Sequence, residues 1–310
     1  MTLKIVHKNP VSSFNADWLA PLFNQYFSFE PWDPDKTYSK NTLFYLNRSD
    51  FCDAQGFADA LKLQEQGFRI FVDNLWEVVA GPIPNAHIVS CNRWFWYNES
   101  LWYSHLGLDQ YQPCRNIQKL ALMPMNRSKP HRTEFLQRIQ PLLNNMTWSA
   151  VELLGQQLPH DGDMTDWNTQ RYMRPEWYDT TYLSMVVETI VRPGSKYTPT
   201  FITEKTTKPL AFEHPFIVYG NRGTLRELKQ WGFETWSHLW DESYDEIVDY
   251  ALRQDAVINL LSSTQIVDHS LETLQKLQHN RNRFFDKETV CKGIINEIIQ
   301  PILEYAETNS

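Results

Sequence analysis

Short apolar runs alternate with longer amphipathic stretches along the first part of the chain. The apolar runs predict strands at Leu3–His7, Leu43–Leu46, Phe68–Val72 and His87–Ser90. Between them, the spacing of apolar residues predicts helices at Phe14–Phe27 and at Phe57–Gln66, the second of which ends at Gly67. Strands that alternate with helices predict a parallel, doubly wound sheet with helices on both faces.

The same alternation begins again after Tyr111–Asn116, a polar stretch that is typical of a linker. Beyond it, strands are expected at Lys119–Met123, Tyr182–Ile190 and Pro215–Tyr219, and helices at Thr133–Leu143, Glu204–Phe212 and Thr224–Gln230. From Asp245 to Glu307 the leucine spacing predicts helices that close the second unit. The chain is therefore expected to form two α/β domains, residues 1–115 and residues 116–310.

Composition narrows the class of protein without identifying its chemistry. The chain has 310 residues, of which 42% are hydrophobic, enough for one large domain or two modest domains with their own cores. The four cysteines lie far apart, without CxxC or zinc-like spacing, as is typical of free thiols in a reducing compartment. No apolar segment has the length of a membrane span or the character of a signal peptide, so a cytoplasmic protein without a membrane span is expected.

The most specific motif lies in Thr200–Gly220, which reads TFITEKTTKPLAFEHPFIVYG. Thr203 is placed to cap a helix whose first turn carries Glu204 and Lys205. Free N–H groups and the positive end of the helix dipole would suit a phosphate. Lys205 would add a cation for a diphosphate, and the carboxylate of Glu204 would accept bonds from ribose hydroxyls. A capped surface helix with a solvated Glu–Lys pair is the simpler alternative.

This segment resembles the donor-binding segment of the alpha-1,3-fucosyltransferase family, in particular that of its phage and bacterial glycosyltransferase relatives. The matching positions are Thr203, Glu204, Lys205, Lys208, Pro209, Pro215 and Gly220. The resemblance implies that Glu204 contacts the ribose and Lys205 the diphosphate of a UDP- or GDP-linked sugar, with Thr203 beside them. Phe201 stands where the fucosyltransferases often carry a tyrosine, so any bond through that phenol is lost and the sugar donor stays open.

A second block, with the pattern strand, Asn, loop, Pro-x-Arg and helix, resembles the opening of the C-terminal domain in the same family. This second resemblance implies that Arg132 contacts the donor diphosphate and that Asn126 matches the family asparagine. Glu188 aligns with the glutamate of a family Phe-Glu-Asn segment, although Thr189 replaces the asparagine. A structural anchor for loop N–H groups is the other interpretation of Glu188. Arg192 is a secondary phosphate candidate.

The resemblance implies a GT-B-like architecture, in which two Rossmann-like domains face a cleft and the second binds the donor. It implies an inverting sugar transfer to an acceptor hydroxyl, in which cationic side chains, and neither a metal nor a cofactor, stabilise the leaving diphosphate. Deprotonation of the acceptor needs a base, which is expected from the first domain. Asp73, Glu77 and Asp50 are the candidates, because they lie just past predicted strands, where such sheets bind ligands.

Two acceptors are compatible with the sequence. The basic stretch Arg115–Arg138 is either a solvated helix face or a phosphate-binding loop, and the aromatic run Arg93–Tyr103 is either a stacking platform or a core strand. Both features would suit a flipped hydroxymethylcytosine in phage DNA, although the net charge of −8 is unusual for a DNA binder. A bacterial surface glycan is the other acceptor. A non-catalytic nucleotide-sugar-binding module is the alternative from a different class.

Overall fold

The computed structural model describes residues 2–7, 16–33, 35–39, 42–46, 54–74, 85–125, 127–150, 155, 174–191 and 200–307. The chain divides into two compact units, each of which contains a parallel sheet. The first unit is Met1–Leu106 together with Lys287–Ser310, and the second is Gly107–Asp286. The predicted α/β class with parallel sheets is confirmed.

Among the described residues, the first unit is built on a sheet of five parallel strands. They are β1 Leu3–His7, β2 Phe27–Pro31, β3 Leu43–Leu46, β4 Arg69–Asn74 and β5 His87–Ser90. The helices in this part of the chain are α1 Ala20–Phe23, α2 Ala54–Glu65 and α3 Trp94–His105. The strand order is β2-β1-β3-β4-β5, so the chain leaves β1 on one side and returns at β3 on the other. The topological switch point therefore lies between β1 and β3.

The second unit has a four-stranded parallel sheet in its described part, of order β7-β6-β8-β9 in the numbering that follows. Its elements are β6 Lys119–Pro124, α4 Pro130–Arg138, β7 Met146–Ser149, α5 Pro175–Asp179, β8 Thr181–Val187, α6 Glu204–Ala211, β9 Phe216–Tyr219, α7 Thr224–Gln230, α8 Tyr250–Ser263 and α9 Leu271–Phe284. Strands β8 and β9 are buried at every position, as is typical of a parallel sheet with helices on both faces.

The C-terminal helices belong to the first unit, which differs from the predicted second domain of residues 116–310. They are α10 Lys287–Ile294 and α11 Gln300–Glu307, joined by a π-helical turn at Ile295–Ile299. The Tyr97 hydroxyl donates to Glu297 in that turn at 2.8 Å. An added Cβ at Gly293 would overlap the same phenol, so α10 approaches α3 as only glycine allows. These are long-range contacts, which helical periodicity does not report.

Two elements differ in type from the sequence prediction. Within the predicted helix Phe14–Phe27, the described residues from Ala16 onward contain a single helical turn, α1, followed by strand β2, which begins at Phe27. The aromatic run Arg93–Tyr103 is helix α3, and its aromatic side chains Trp94, Phe95, Trp96, Tyr97 and Tyr103 are buried. It is therefore not a core strand. Trp102 is only partly buried, so the stacking alternative stays a prediction. A helix that is buried on nearly all sides has no amphipathic period, which is why the pattern did not identify it.

The remaining predicted strands are confirmed within a few residues, and the predicted helix Thr224–Gln230 coincides with α7. Strand β7 and helix α5 were not predicted, because their sequences, MTWS and PEWYD, contain no apolar run. No helix in the described ranges is long and apolar enough to cross a membrane.

Candidate functional site

The second sheet has its switch point between β6 and β8, because β7 and β8 lie on opposite sides of β6. Strand β8 continues directly into Glu188 and Thr189, and the loop after β6 passes Arg127 before α4 begins. Helix α6 begins at the same edge, since the N–H of Thr203 donates to Glu188 at 2.9 Å. The segments that the sequence analysis selected therefore meet where open parallel sheets bind ligands.

Glu188 holds these segments together through a fully buried carboxylate. Its Oε1 accepts from the backbone N–H of Thr203 and, at 2.6 Å, from the hydroxyl of Thr206. Its Oε2 accepts from the hydroxyl of Thr203 at 2.7 Å and from the N–H of Thr189 at 3.2 Å. These four donors compensate the cost of burying a charge. Of the two interpretations of Glu188, the geometry favours the structural anchor, and direct contact with a donor stays a prediction.

The predicted cap of α6 is confirmed, because the Thr203 hydroxyl accepts from the N–H of Lys205 at 3.3 Å. The N–H of Thr206 donates to the carbonyl of Thr203 at 3.1 Å. With the bond from Thr203 to Glu188, the N–H groups of Thr203, Lys205 and Thr206 all have acceptors inside the protein. Three of the N–H groups expected for a phosphate are therefore occupied, which leaves the charged side chains as the main candidates for contact with a ligand.

The charged side chains of this first turn form a cluster of one anion and two cations. Lys205 makes an ion pair with Glu204, and the side chains are 19% and 11% exposed. Burial alone would raise the pKa of Glu204, but the ammonium groups of Lys205 and Lys208 outweigh it and hold that pKa at about 2. Glu204 is consequently an anion at any physiological pH. The alternative of a solvated Glu–Lys pair does not fit, because Glu204 is only 9% exposed as a residue.

Arg132 is buried to 1% exposure and binds the edge of the sheet. Its Nη2 donates to the carbonyl of Val187 at 3.0 Å and to the Thr189 hydroxyl at 3.4 Å, and Nη1 donates to the carbonyl of Arg127 at 3.3 Å. The guanidinium thus ties the start of α4 to the end of β8. Its predicted contact with a diphosphate stays a prediction. Next to it, burial lowers the pKa of His131, so the neutral ring donates from Nε2 to the carbonyl of Glu188 at 3.0 Å.

The end of β9 completes this edge of the sheet. An added Cβ at Gly220 would lie 2.9 Å from the Thr224 hydroxyl and 3.6 Å from the side chain of Glu188, so the glycine permits a close approach. The following helix, α7, is capped by Asp245, whose carboxylate accepts from the N–H groups of Leu225 and Arg226 at 3.0 and 3.2 Å. Burial raises the pKa of Asp245 to about 6.

Two residues of this edge were missed by the sequence analysis. Thr206 had a local signal, because it lies one turn after the cap in the TEKT sequence and both hydroxyls can face one acceptor. Gln254 had none. It is fully buried on α8, donates to the carbonyl of His131 at 3.3 Å and accepts from Arg138 at 3.0 Å. Only folding brings it next to α4.

Several predicted site residues cannot be placed in the same way. Asn126, Arg192, Asp50 and Glu77 lie outside the described residues. Asp73 is the fifth residue of β4, where its backbone pairs with Val89 on β5 near the carboxyl ends of both strands. All three candidate bases stay predictions.

The basic stretch Arg115–Arg138 is largely engaged within the second unit. Arg115 donates to the carbonyl of Glu213, and Lys119 donates to the carbonyl of Asn144 at 2.6 Å. Arg132 and Arg138 bond as described above. Arg127 and Lys129, in the loop before α4, are exposed, so the predicted phosphate-binding loop stays a prediction.

Neither a metal site nor a relative identifies the chain. Within the described ranges, no group of three or more His, Cys, Asp or Glu side chains is placed to hold a metal ion. No protein-family model matches the sequence, and no curated protein matches it. The geometry at the β6–β8 edge is therefore the feature of this chain that bears on its function.

Proposed function

We propose that this chain is a nucleotide-sugar-dependent glycosyltransferase of the GT-B type, whose second unit binds the donor. The observation that carries the proposal is the convergence of three separate segments, Arg127–Arg132, Val187–Thr189 and Thr203–Thr206, at the switch point of the second sheet. Sites for nucleotides lie at this place in open α/β sheets.

The chemistry of the first turn of α6 supports a nucleoside diphosphate as the ligand. Lys205 offers an ammonium group that is partly exposed, at the positive end of a helix dipole. Glu204 offers a permanently charged acceptor for the vicinal hydroxyls of a ribose. A site that pairs a cation with a hydroxyl acceptor suits a ligand that has both a phosphate and a sugar.

In the proposed reaction, the acceptor hydroxyl attacks the anomeric carbon and the bond from that carbon to the diphosphate breaks, with inversion. Lys205 stabilises the negative charge that develops on the departing diphosphate. A carboxylate of the first unit takes the hydroxyl proton. Asp73, Glu77 and Asp50 remain the proposed candidates for that base. UDP- and GDP-linked sugars are both proposed donors.

The acceptor is proposed to be a glycan hydroxyl, with hydroxymethylcytosine in DNA as the competing acceptor. The internal bonds of Arg115 and Arg138 and the burial of most α3 aromatics weaken the support for DNA. Arg127, Lys129 and Trp102 keep some exposure, so DNA remains the competing acceptor. Glycan acceptors need no basic surface, which agrees with the net charge of −8.

The test is a donor and acceptor screen followed by mass spectrometry. Purified protein receives UDP- and GDP-sugars with bacterial glycan acceptors, with hydroxymethylcytosine DNA or without an acceptor, each in the presence and absence of EDTA. Transfer or slow donor hydrolysis that persists in EDTA is the expected result. Sugar on the DNA would reassign the acceptor. Tight donor binding with no turnover would favour a binding module, and absence of both binding and turnover would refute the proposed function.

A further inference from the structure

The first turn of α6 contains an ion pair between neighbouring residues. Adjacent helical residues do not normally face each other, so Lys205 has to fold back to reach Glu204. The pair also lies at the edge where the donor is proposed to bind. Lys205 is the more exposed partner, at 19% against 11% for the side chain of Glu204. An incoming anion can therefore compete with Glu204 for this ammonium group.

Lys208 lies one helical turn beyond Glu204, at the i,i+4 position that brings a glutamate and a following lysine together. It is only 6% exposed, and its charge acts on Glu204. Because the hydrocarbon part of the Lys208 side chain is already buried, holding Glu204 in place costs it little additional conformational entropy. Glu204 thus has one cation that can leave and one that is fixed.

We propose that the Glu204–Lys205 ion pair opens when a diphosphate binds, and that Lys208 is the positioning residue that then keeps the Glu204 carboxylate turned towards the ribose hydroxyls. This inference rests on the proposed function and deepens it. Lys205 exchanges one anion for another, so its charge is never left unpaired in a partly buried site. Glu204 exchanges an ammonium donor for hydroxyl donors.

The exchange predicts selectivity for ribonucleoside diphosphates. Inorganic pyrophosphate can replace Glu204 on Lys205, but it offers no hydroxyl groups to the released carboxylate. A 2′-deoxynucleoside diphosphate offers one hydroxyl in place of two. Because an acceptor left without its donor in a buried site costs free energy, both ligands are expected to bind more weakly than the ribonucleotide.

The experiment measures dissociation constants by calorimetry for pyrophosphate, for GDP and UDP, and for their 2′-deoxy forms. Wild type is compared with Lys205→Met, Lys208→Met, Lys208→Arg and Glu204→Gln. Lys292→Met serves as a control, because it removes an exposed lysine from an i,i+4 pair with Glu288 in the first unit. Thermal unfolding of each variant checks that it is folded.

Lys205→Met is expected to weaken all three ligand types about tenfold or more, because the phosphate contact is common to them. Lys208→Met is expected to leave pyrophosphate affinity within about twofold while the preference for ribose over 2′-deoxyribose falls about tenfold, and Lys208→Arg is expected to restore that preference. Glu204→Gln is expected to bind pyrophosphate more tightly than wild type, since the competing anion is gone.

Equal losses of pyrophosphate affinity in Lys205→Met and Lys208→Met would overturn the inference, because Lys208 would then be a phosphate ligand. An unchanged ribose preference in a folded Lys208→Met protein would also overturn it. If wild type binds ribonucleotides but transfers no sugar, the transferase proposal fails while these comparisons still decide the role of Lys208. If wild type binds none of the probes, both proposals fail.

Discussion

The hydroxyl of Thr206 donates a 2.6 Å hydrogen bond to the carboxylate of Glu188, eighteen positions earlier in the chain. Both side chains are fully buried. This bond links the end of β8 to the first turn of α6, so the conformation of that turn depends on the core of the sheet as well as on its own cap. Three further donors act on the same carboxylate.

Thr206→Val is expected to lower the free energy of unfolding by about 1 to 2 kcal/mol, because a buried carboxylate loses one of its donors. Glu188→Gln is expected to cost more, about 2 to 3 kcal/mol, since an amide nitrogen cannot accept from Thr203 or Thr189. Urea unfolding measures both. Thr180→Val is the matched control, because its hydroxyl bond to Glu176 is exposed; an equal loss there would contradict the special role of Glu188.

Lys205→Ala is expected to lower kcat/KM for transfer or donor hydrolysis tenfold or more, equivalent to about 1.4 kcal/mol of transition-state stabilisation. The reason is the loss of the cation that faces the departing diphosphate. Lys229→Ala, which removes an exposed lysine from α7, is the control and should retain full activity. Unchanged turnover in Lys205→Ala would remove this lysine from the donor site.

Arg132→Ala is expected to destabilise the protein by about 2 to 4 kcal/mol, because it leaves a cavity and the buried carbonyl of Val187 loses its donor. A loss of activity in this variant is therefore not by itself proof of a phosphate contact. Denaturant unfolding read alongside nucleotide affinity separates the two effects. A variant as stable as wild type that binds nucleotide weakly would restore Arg132 as a direct ligand.

The stability of the second unit is expected to fall in mild acid because of His214. Burial lowers the pKa of this histidine to about 3 against an ordinary value of 6.5. Its neutral ring donates to the carbonyl of Thr181 at 2.7 Å and accepts from Ser184 at 2.8 Å. Between these two pKa values the unfolded chain binds the extra proton, so each pH unit below 6.5 costs about 1.4 kcal/mol.

Urea unfolding from pH 7 to pH 5 measures this dependence. The stability of wild type should fall by about 2 kcal/mol from this group, and His214→Gln should lose much of the slope whatever its stability at pH 7. His279→Gln, an exposed change on α9, should keep the wild-type slope. Identical slopes in all three proteins would contradict a neutral, buried His214.

Gly293→Ala is expected to destabilise the first unit by about 1 to 3 kcal/mol, because its methyl group would overlap the phenol of Tyr97. In a Tyr97→Leu background the same change should cost much less, since the smaller side chain leaves room. Thermal unfolding of the four proteins of this cycle gives the coupling. Additive effects would mean that α10 does not approach α3 closely.

Local pattern was enough to identify several short apolar runs as strands and to identify one helix cap. The runs LFYL and FIVY are strands that are buried throughout, and Thr203 caps α6 as its sequence context predicts. The same local chemistry selected Glu204 and Lys205, because a cap, an acid and a base in consecutive positions form one helix turn. Helix α3 and strand β2 were predicted wrongly. Burial on nearly all sides removes the helical period of α3, and β2 is too short to show a clear alternation.

The sequence by itself determined the α/β class, most strands and the charge of the first turn of α6, all of which follow from residues that are close along the chain. Only the tertiary structure decided that Glu188 and Arg132 bond inward, that Gln254 joins α8 to α4 and that residues 287–310 return to the first unit. Hydrogen bonds of buried groups go to whichever partner the fold brings near. That choice depends on distances between residues far apart in sequence, which no local pattern contains.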